Sequence, residues 1–323
     1  MAVGLTRLSR FIEEKRLAKP TAHEAKAIQQ LRNAMRDLVP LDDSNLSVDA
    51  EAAWIRNRTL LRQCILKKDP RCFLHWGVIG QTMFVNQASY VNTELHYLEA
   101  LRNWEKWARA IQETDIGRPN RFRAYIPSSG NSIHHAYSLA LFEERARISL
   151  EHFDVIVEFG GGYGSMCRII HKLGFKGDYF IFDFPELNAL QEFYLDLNGI
   201  SVDHLTSKKK QRTPDTQVCC VSDAAVLEDV LSHNKPGLFL STWAISEAPM
   251  SIRKSLLPLV VASDAYLLAF QHQFREIDNL NFFDKWSSSL SHIRWKQFEI
   301  PHLPDNSYLF GVRKDEKTPP KAR

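Results

Sequence analysis

Glycine fills four of the five positions from 160 to 164, within the stretch VIVEFGGGYGSMCRII that spans residues 155 to 170. Glu158 stands two residues before the first of them. Glycine is costly to order, and it is kept where a side chain would collide with a neighbour or where φ must be positive. An apolar run that feeds such a turn and then a helix brings backbone N–H groups against a bound ligand. The residues around the turn narrow the choice of ligand. A Walker-type phosphate loop ends in Gly-Lys-Ser/Thr, and no such triplet follows here. A dinucleotide fingerprint, G-x-G-x-x-G, begun at Gly160 puts Ser165 where its third glycine belongs. The spacing that does hold is acidic-x-Gly-x-Gly-x-Gly, on Glu158, Gly160, Gly162 and Gly164.

The segments that follow place further polar groups at strand ends. Met166, Ile169, Ile170 and Leu173 make one apolar stripe on a helix, which Gly174 closes as a left-handed cap. The positive end of that helix is aimed at the ligand. YFIFDFPEL then delivers Asp183 at the carboxyl end of a second strand, 23 residues beyond Gly160. A carboxylate there accepts both ribose hydroxyls of an adenosine, whether the ligand is a dinucleotide or S-adenosylmethionine. Its alternative is a cap for the helix that begins at Pro185. QVCCVSD ends at Ser222 and Asp223, where Asp223 meets an adenine amino group or caps the helix AAVLEDVLS. STWAISE brings Ser241 and Glu247 to the same edge, and FQHQF brings His272.

The elements that carry these residues are legible as a pattern. The chain has 323 residues, 44% hydrophobic and 24% charged, enough for a substantial core. A net charge of +3 gives no pull toward nucleic acid or anionic membrane. Five cysteines without C-x-x-C spacing argue against a disulfide framework or a zinc site and suit a reducing cytoplasm. No apolar run reaches the ~20 residues that span a bilayer. LTRLSRFIEEKRLAKP reads as a surface helix rather than a targeting peptide. Residues 20–115 read as helices: AKAIQQLRNAMRDL carries Ile28, Leu31, Met35 and Leu38 on one stripe, and ELHYLEALRNWEKWARAI repeats the pattern. Trp54, Phe73, Trp76, Trp104 and Trp107 pack between them or line a groove. Asn131 is placed to cap the helix SIHHAYSLALFEERARI.

From residue 154, short apolar runs alternate with helical segments, as a parallel sheet covered on both faces requires. KQFEI and SYLFGV flank PHLPDN as an antiparallel pair that closes the sheet. The fold class is therefore α/β: a Rossmann-like, doubly wound, mostly parallel sheet with an antiparallel C-terminal strand, preceded by a helical N-terminal region. The expected organisation is a helical region over 1–125, a ligand-binding domain over 126–313 and a disordered tail over 314–323, with SKKKQRTPDT as a solvated loop.

The acidic-glycine spacing is the first motif of class I S-adenosylmethionine-dependent methyltransferases. EFGGGYGSMCRIIHKLGFKGDYFIFDFPELNALQEFYL resembles the sugar O-methyltransferase family, as do SSGNSIHHAYSLALFEE and LFLSTWAISEAPMSIR. FDFPEL is similar to the F-D-L-P element of small-molecule O-methyltransferases. The resemblance covers roughly residues 70–312 and implies S-adenosyl-L-methionine as cofactor and a sugar, nucleotide-sugar or glycan hydroxyl as acceptor. It makes Glu158, Gly160, Gly162, Gly164 and Asp183 the expected cofactor contacts, with Gly161, Tyr163, Phe184, Ser222, Asp223 and Ser241 around them. No membrane span or nucleic-acid partner is expected, a cytoplasmic home is, and a homo-oligomer stays open.

A hydroxyl attacking a sulfonium methyl is helped by a base. His272, then Glu247, then His135 compete for that role, with His134 on the same helix as His135. No tight Asp/Glu/His cluster shows metal-ligand spacing, and the need for a divalent metal stays open. Arg118, Arg121 and Arg123 in GRPNRFR either grip a phosphate or face solvent. Two rival readings remain, an NAD-dependent oxidoreductase and a non-catalytic glycan-binding or scaffold relic of the fold.

Overall fold

The structure is a computed structural model that describes residues 17–41, 49–206, 213 and 215–314. Most of the N-terminal basic segment, most of the SKKKQRTPDT loop and all but the first residue of the tail lie outside the described residues.

The N-terminal region is helical: α1 Ala22–Asp37, α2 Asp49–Lys67, α3 Gly77–Thr82, α4 Val91–Glu99 and α5 Trp104–Ile111. Thr21 and Glu24 start α1 with a reciprocal capping box, and Ala27, Leu31 and Met35 bury its inner stripe. The segment 94–111, which reads as one helix, is two. Val91, Leu95 and Leu98 are buried on α4, and Trp107, Ala110 and Ile111 on α5. On one straight helix Trp107 would sit half a turn around from Leu98, so the chain turns at Ala100 to bury both stripes. Helix α6, Gly130–Ala146, is buried along most of its length. Its cap is Ser129, whose hydroxyl accepts from the Ser132 N–H at 3.1 Å, and not Asn131. Asn131 is already inside the first turn, and its side chain is engaged elsewhere.

Among the described residues, eight strands form the main sheet: β1 Val155–Phe159, β2 Asp178–Phe182, β3 Val202–Leu205, β4 Val218–Val221, β5 Leu238–Thr242, β6 Ala265–Gln271, β7 Ile293–Glu299 and β8 Asn306–Arg313. Their order is β7-β8-β6-β5-β1-β2-β4-β3. All neighbours are parallel except β8, which runs antiparallel to both β6 and β7. The expected α/β architecture and its antiparallel closing pair are therefore present. Strand β3 is an addition to that reading: VDHL has no apolar run, is only partly buried, and sits at the edge. Between the strands lie α7 Ser165–Lys172, α8 Pro185–Leu197, α9 Ala224–His233, α10 Ala244–Glu247, α11 Met250–Leu256 and α12 Asn279–Ser289.

Alternation along β1 sends Val155, Val157 and Phe159 to one face, and Ile156 with Glu158 to the other. The second face is covered by α6, α7 and α8, and its core runs unbroken from Ala27 on α1 to Phe310 on β8. The first face carries α9, α11 and α12. From β1 the chain moves outward to β2 and β4, then returns to the other side of β1 as β5. This reversal opens a crevice at the carboxyl ends of β1 and β5, where open α/β sheets bind their ligands.

Candidate functional site

A cavity of about 410 Å³ occupies that crevice, within the usual ~300–1,000 Å³ of small-molecule sites. Its floor is the glycine turn, its sides are the ends of β2 and β5 with α6, and its roof is Trp54 of α2 together with Gly80–Val85.

Gly160, Gly162 and Gly164 have φ of +74°, +58° and +94°. An L side chain is strained at each. The neighbours differ. A Cβ on Gly160 would lie 2.1 Å from the Ala244 Cβ, and one on Gly161 would lie 2.8 Å from the Ile181 Cγ2. One on Gly162 would meet nothing nearer than the Met83 Cβ at 3.6 Å. Backbone conformation and close protein packing thus account for Gly160 and Gly161, while Gly162 faces the roof across the cavity edge. Gly164 caps α7 and packs on Leu195, off the cavity wall.

Glu158 is 3% exposed, and Tyr179 donates its hydroxyl to the Glu158 Oε2 at 2.8 Å. Burial, with a smaller push from the nearby Asp183, lifts this carboxyl to about 8 against the pull of that hydrogen bond. Asp183 accepts from the Phe184 N–H at 2.8 Å and from the Gln191 amide at 2.9 Å. Burial lifts it to about 7 even so. The Gly162 backbone N–H adds to the hydrogen bonds that hold this carboxyl. Gln191 also donates to the Gly162 carbonyl at 3.0 Å, which joins the glycine turn to the second carboxylate. Phe184 follows on the wall, with Trp54 5.9 Å away ring to ring and the Arg58 guanidinium 4.5 Å over its face. Arg58 and Arg62 are held by Glu186, a fully buried carboxylate, at 2.9 and 2.6 Å.

On the far side, Glu247 lines the cavity, and burial raises its carboxyl to about 7 against a weak hydrogen bond from Gln271. His135 lines it too. Burial and the adjoining His134 drive its imidazole down to about 3, and its buried Nδ1 has no partner among the described residues. Trp243, at the end of β5, holds φ +62° and donates its indole N–H to the Asn306 Oδ1 at 2.6 Å. Non-glycine residues in that region are strained and cluster at functional sites. Asn131 donates to the Tyr163 hydroxyl at 2.8 Å and accepts from the Val85 N–H at 3.1 Å, which ties α6 to both floor and roof.

Of the residues singled out in the sequence, Glu158, Gly160, Gly161, Gly162, Tyr163, Asp183, Phe184, Glu247 and His135 meet on this wall. Ser222 and Asp223 are exposed and off it, and Asp223 caps α9 by accepting the Ala225 N–H at 2.8 Å. Ser241 is buried between strands, donating to the Phe159 carbonyl and accepting the Ile245 N–H, both at 3.1 Å. His272 is turned away as well. Its Nε2 lies 2.8 Å from the Ser307 Oγ on β8, and it does not line the cavity. Strand β5 separates β6 from β1, which carries the tip of β6 past the crevice. Arg121 is spent on Asp115 at 2.9 Å and on the backbone carbonyls of Glu113, Thr114 and Pro127. Trp54, Met83, Asn131, His134 and Trp243 are on the wall too; the aromatic series allowed a groove for Trp54, the strand end STWAISE points to Trp243, His134 shares the helix of His135, and nothing in the spacing marks Met83.

The charged side chains on the wall are acidic, and among the described residues no lysine or arginine lines it. A cavity of this kind suits a ligand with cationic centres. No group of three or more His, Cys, Asp or Glu is arranged to hold a metal ion among the described residues. No described helix is long and apolar enough to cross a membrane.

No protein-family model matches the chain, and no curated protein sequence matches it. Solved structures similar to it include a precorrin-6y C5,15-methyltransferase from Geobacter metallireducens, 12% identical over 64% of this chain and 98% of that one, with a TM-score of 0.39. The SAH-bound methyltransferase PaMTH1 of Podospora anserina is 10% identical, covering 85% of this chain and 100% of that one, with a TM-score of 0.36. The glycopeptide N-methyltransferase MtfA complexed with S-adenosylmethionine is 10% identical over 55% of this chain and 87% of that one, with a TM-score of 0.37. Overlaps this loose assign neither a role nor a substrate to any residue here.

Proposed function

We propose that the chain is an S-adenosylmethionine-dependent O-methyltransferase whose acceptor is a sugar hydroxyl. The observation that carries the reading is the pairing of Glu158 and Asp183 on one wall, at the ends of adjacent strands, with the glycine turn between them. Glu158 is placed for the cationic methionyl amine and Asp183 for the ribose diol, with Phe184 and Trp54 offering aromatic surface to the adenine. Bound there, the cofactor would supply an electrophilic methyl group, and the protein's part is to align the acceptor with it and exclude water.

The same electrostatics weigh against the NAD reading. A dinucleotide would set its pyrophosphate dianion against the turn with no lysine or arginine on the wall, among the described residues, to offset it. By the same reasoning a neutral sugar fits the cavity better than a nucleotide-sugar. Glu247 and His135 line the same cavity and are available to hydrogen-bond the acceptor.

Thermal-shift measurements with S-adenosylmethionine, S-adenosylhomocysteine and NAD test the reading. Ligand at a hundred times its dissociation constant stabilises by about 2.7 kcal/mol. A response to NAD alone would overturn it, and no response to any of the three would favour a non-catalytic scaffold.

A further inference from the structure

We propose that Glu94 and His134 act together as the proton acceptor for the attacking hydroxyl, a role that rests on the methyl-transfer reading above. Neither the glycine motif nor the strand ends point to this pair. It comes from the packing of α4 against α6, outside the sheet.

Glu94 is fully buried on α4, and its Oε1 lies 2.7 Å from His134 Nδ1 and 3.0 Å from His302 Nε2. Its Oε2 has no partner among the described residues. Burial alone would raise this carboxyl, but His134 and then His302 outweigh it and hold Glu94 below its ordinary value. The carboxylate is therefore charged at neutral pH. A carboxylate facing Nδ1 accepts the Nδ1–H and leaves the lone pair on Nε2. That is the arrangement of a base oriented by a third group.

The ring is also fixed from its faces. Trp243 lies 4.7 Å from it, centroid to centroid, at 31°, and Tyr90 meets it edge-on at 5.6 Å. His134 lines the cavity although it is only 4% exposed. Among the described residues its ring hydrogen-bonds only to Glu94. Trp243 immediately precedes Ala244, the residue that fills the space beside Gly160. The imidazole is thus linked through Trp243 and Ala244 to the Gly160 end of the glycine turn, on the wall of the same cavity. His135 and Glu247 share the wall but lack such a partner. His135 Nδ1 is bare, and Glu247 meets only an amide at 3.5 Å.

The step balances as follows. An oxygen lone pair of the hydroxyl forms the O–CH₃ bond while the S–CH₃ bond breaks, its electron pair remaining on sulfur to give a neutral thioether. The hydroxyl proton passes to His134 Nε2, the resulting imidazolium faces the Glu94 carboxylate, and the proton leaves to solvent afterwards.

The test uses the full chain labelled with ¹⁵N-histidine, with E94Q and H134Q as near-isosteric variants. H134Q identifies the His134 signal among the twelve histidines. In the unaltered protein the neutral His134 ring should carry its proton on Nδ1, and E94Q should shift that tautomer balance. Calorimetry should give S-adenosylmethionine affinities within about threefold of each other for all three proteins. Transfer of labelled methyl to glucose, mannose and N-acetylglucosamine should fall about 100-fold or more in H134Q. A His134 ring protonated on Nε2, or a variant that transfers at the unaltered rate, overturns the dyad. If the unaltered chain binds no S-adenosylmethionine, the methyl-transfer reading falls first and takes the dyad's role with it.

Discussion

Removing the charge that Glu158 can carry should change how stability depends on pH, and the structure sets both sign and size. Its carboxyl is at about 8 in the folded chain against an ordinary 4.5, chiefly through burial. Between those values the folded state keeps a proton that the unfolded state has shed. Stability therefore falls as pH rises through the window. At 1.36 kcal/mol per unit of separation, the loss by about pH 8 is on the order of 4 kcal/mol. Asp183 and Glu247, each raised to about 7, act in the same direction. Glu94 and Glu186 are held below their ordinary values, so what they contribute is already complete above about pH 6. Glu158→Gln keeps an acceptor for the Tyr179 hydroxyl and has no proton to lose. Calorimetric melting from about pH 6 to 8.5 should show the unaltered chain losing several degrees and E158Q losing clearly less, with a gap of ~8 °C or less at the alkaline end. Saturating S-adenosylmethionine should flatten the unaltered curve, because a cation beside Glu158 favours the carboxylate, and its binding should release protons at about pH 7. A melting temperature that is level or rises with pH, or equal slopes in both proteins, would refute this account of the buried carboxyl.

Asp183→Ala removes the proposed ribose acceptor and the partner of the Gln191 amide, and calorimetry should find S-adenosylmethionine binding abolished. Gly160→Ala combines a φ of +74° with a 2.1 Å approach to Ala244, and denaturant unfolding should show a loss of about 3 kcal/mol or more. Gly162→Ala would make only ordinary contact with Met83 and should lose just the ~1–2 kcal/mol of its left-handed backbone. Trp54→Ala should weaken S-adenosylhomocysteine binding by ~1–3 kcal/mol and abolish any ligand-induced change in that residue's fluorescence. His272→Ala, remote from the wall, should leave cofactor affinity unchanged in the same titration.

The parts of the site legible in the sequence are those fixed by local rules. Apolar runs of three or four residues mark β1, β2, β4 and β5, and the residues at a strand's end must emerge at the sheet's carboxyl edge. Glu158 and Asp183 could therefore be placed before any coordinates existed. The same rule fails for His272 because it does not say how far along the edge a strand stands. β6 lies beyond β5, and Ser307 on the antiparallel β8 takes its imidazole. Asp223 shows a different limit: a strand-end carboxylate followed by a helix satisfies capping and ligand patterns equally, and the Ala225 N–H decides for the cap. Asn131 looked like a cap by residue type, yet its amide is used across 32 residues to reach Tyr163. Long-range contacts of that sort, including Glu94 with His134 and His302, leave no periodicity to find. The break at Ala100 was likewise hidden, since each half of the 94–111 segment is a good helix and only the shared core requires two.

The Arg58 and Arg62 clasp on Glu186 bears on kinetics rather than on affinity. Glu186 begins three residues after Asp183, and its two partners ride on the same helix as Trp54. Lifting that helix to admit or expel a molecule would strand a fully buried carboxylate, a penalty of ~3–5 kcal/mol. If the chain transfers methyl groups as proposed and exchange requires that helix to lift, release of the spent product should be slow, paced by the unlatching of two guanidinium groups. A chase experiment in rising salt would then see departure quicken while the equilibrium between entry and exit barely moves.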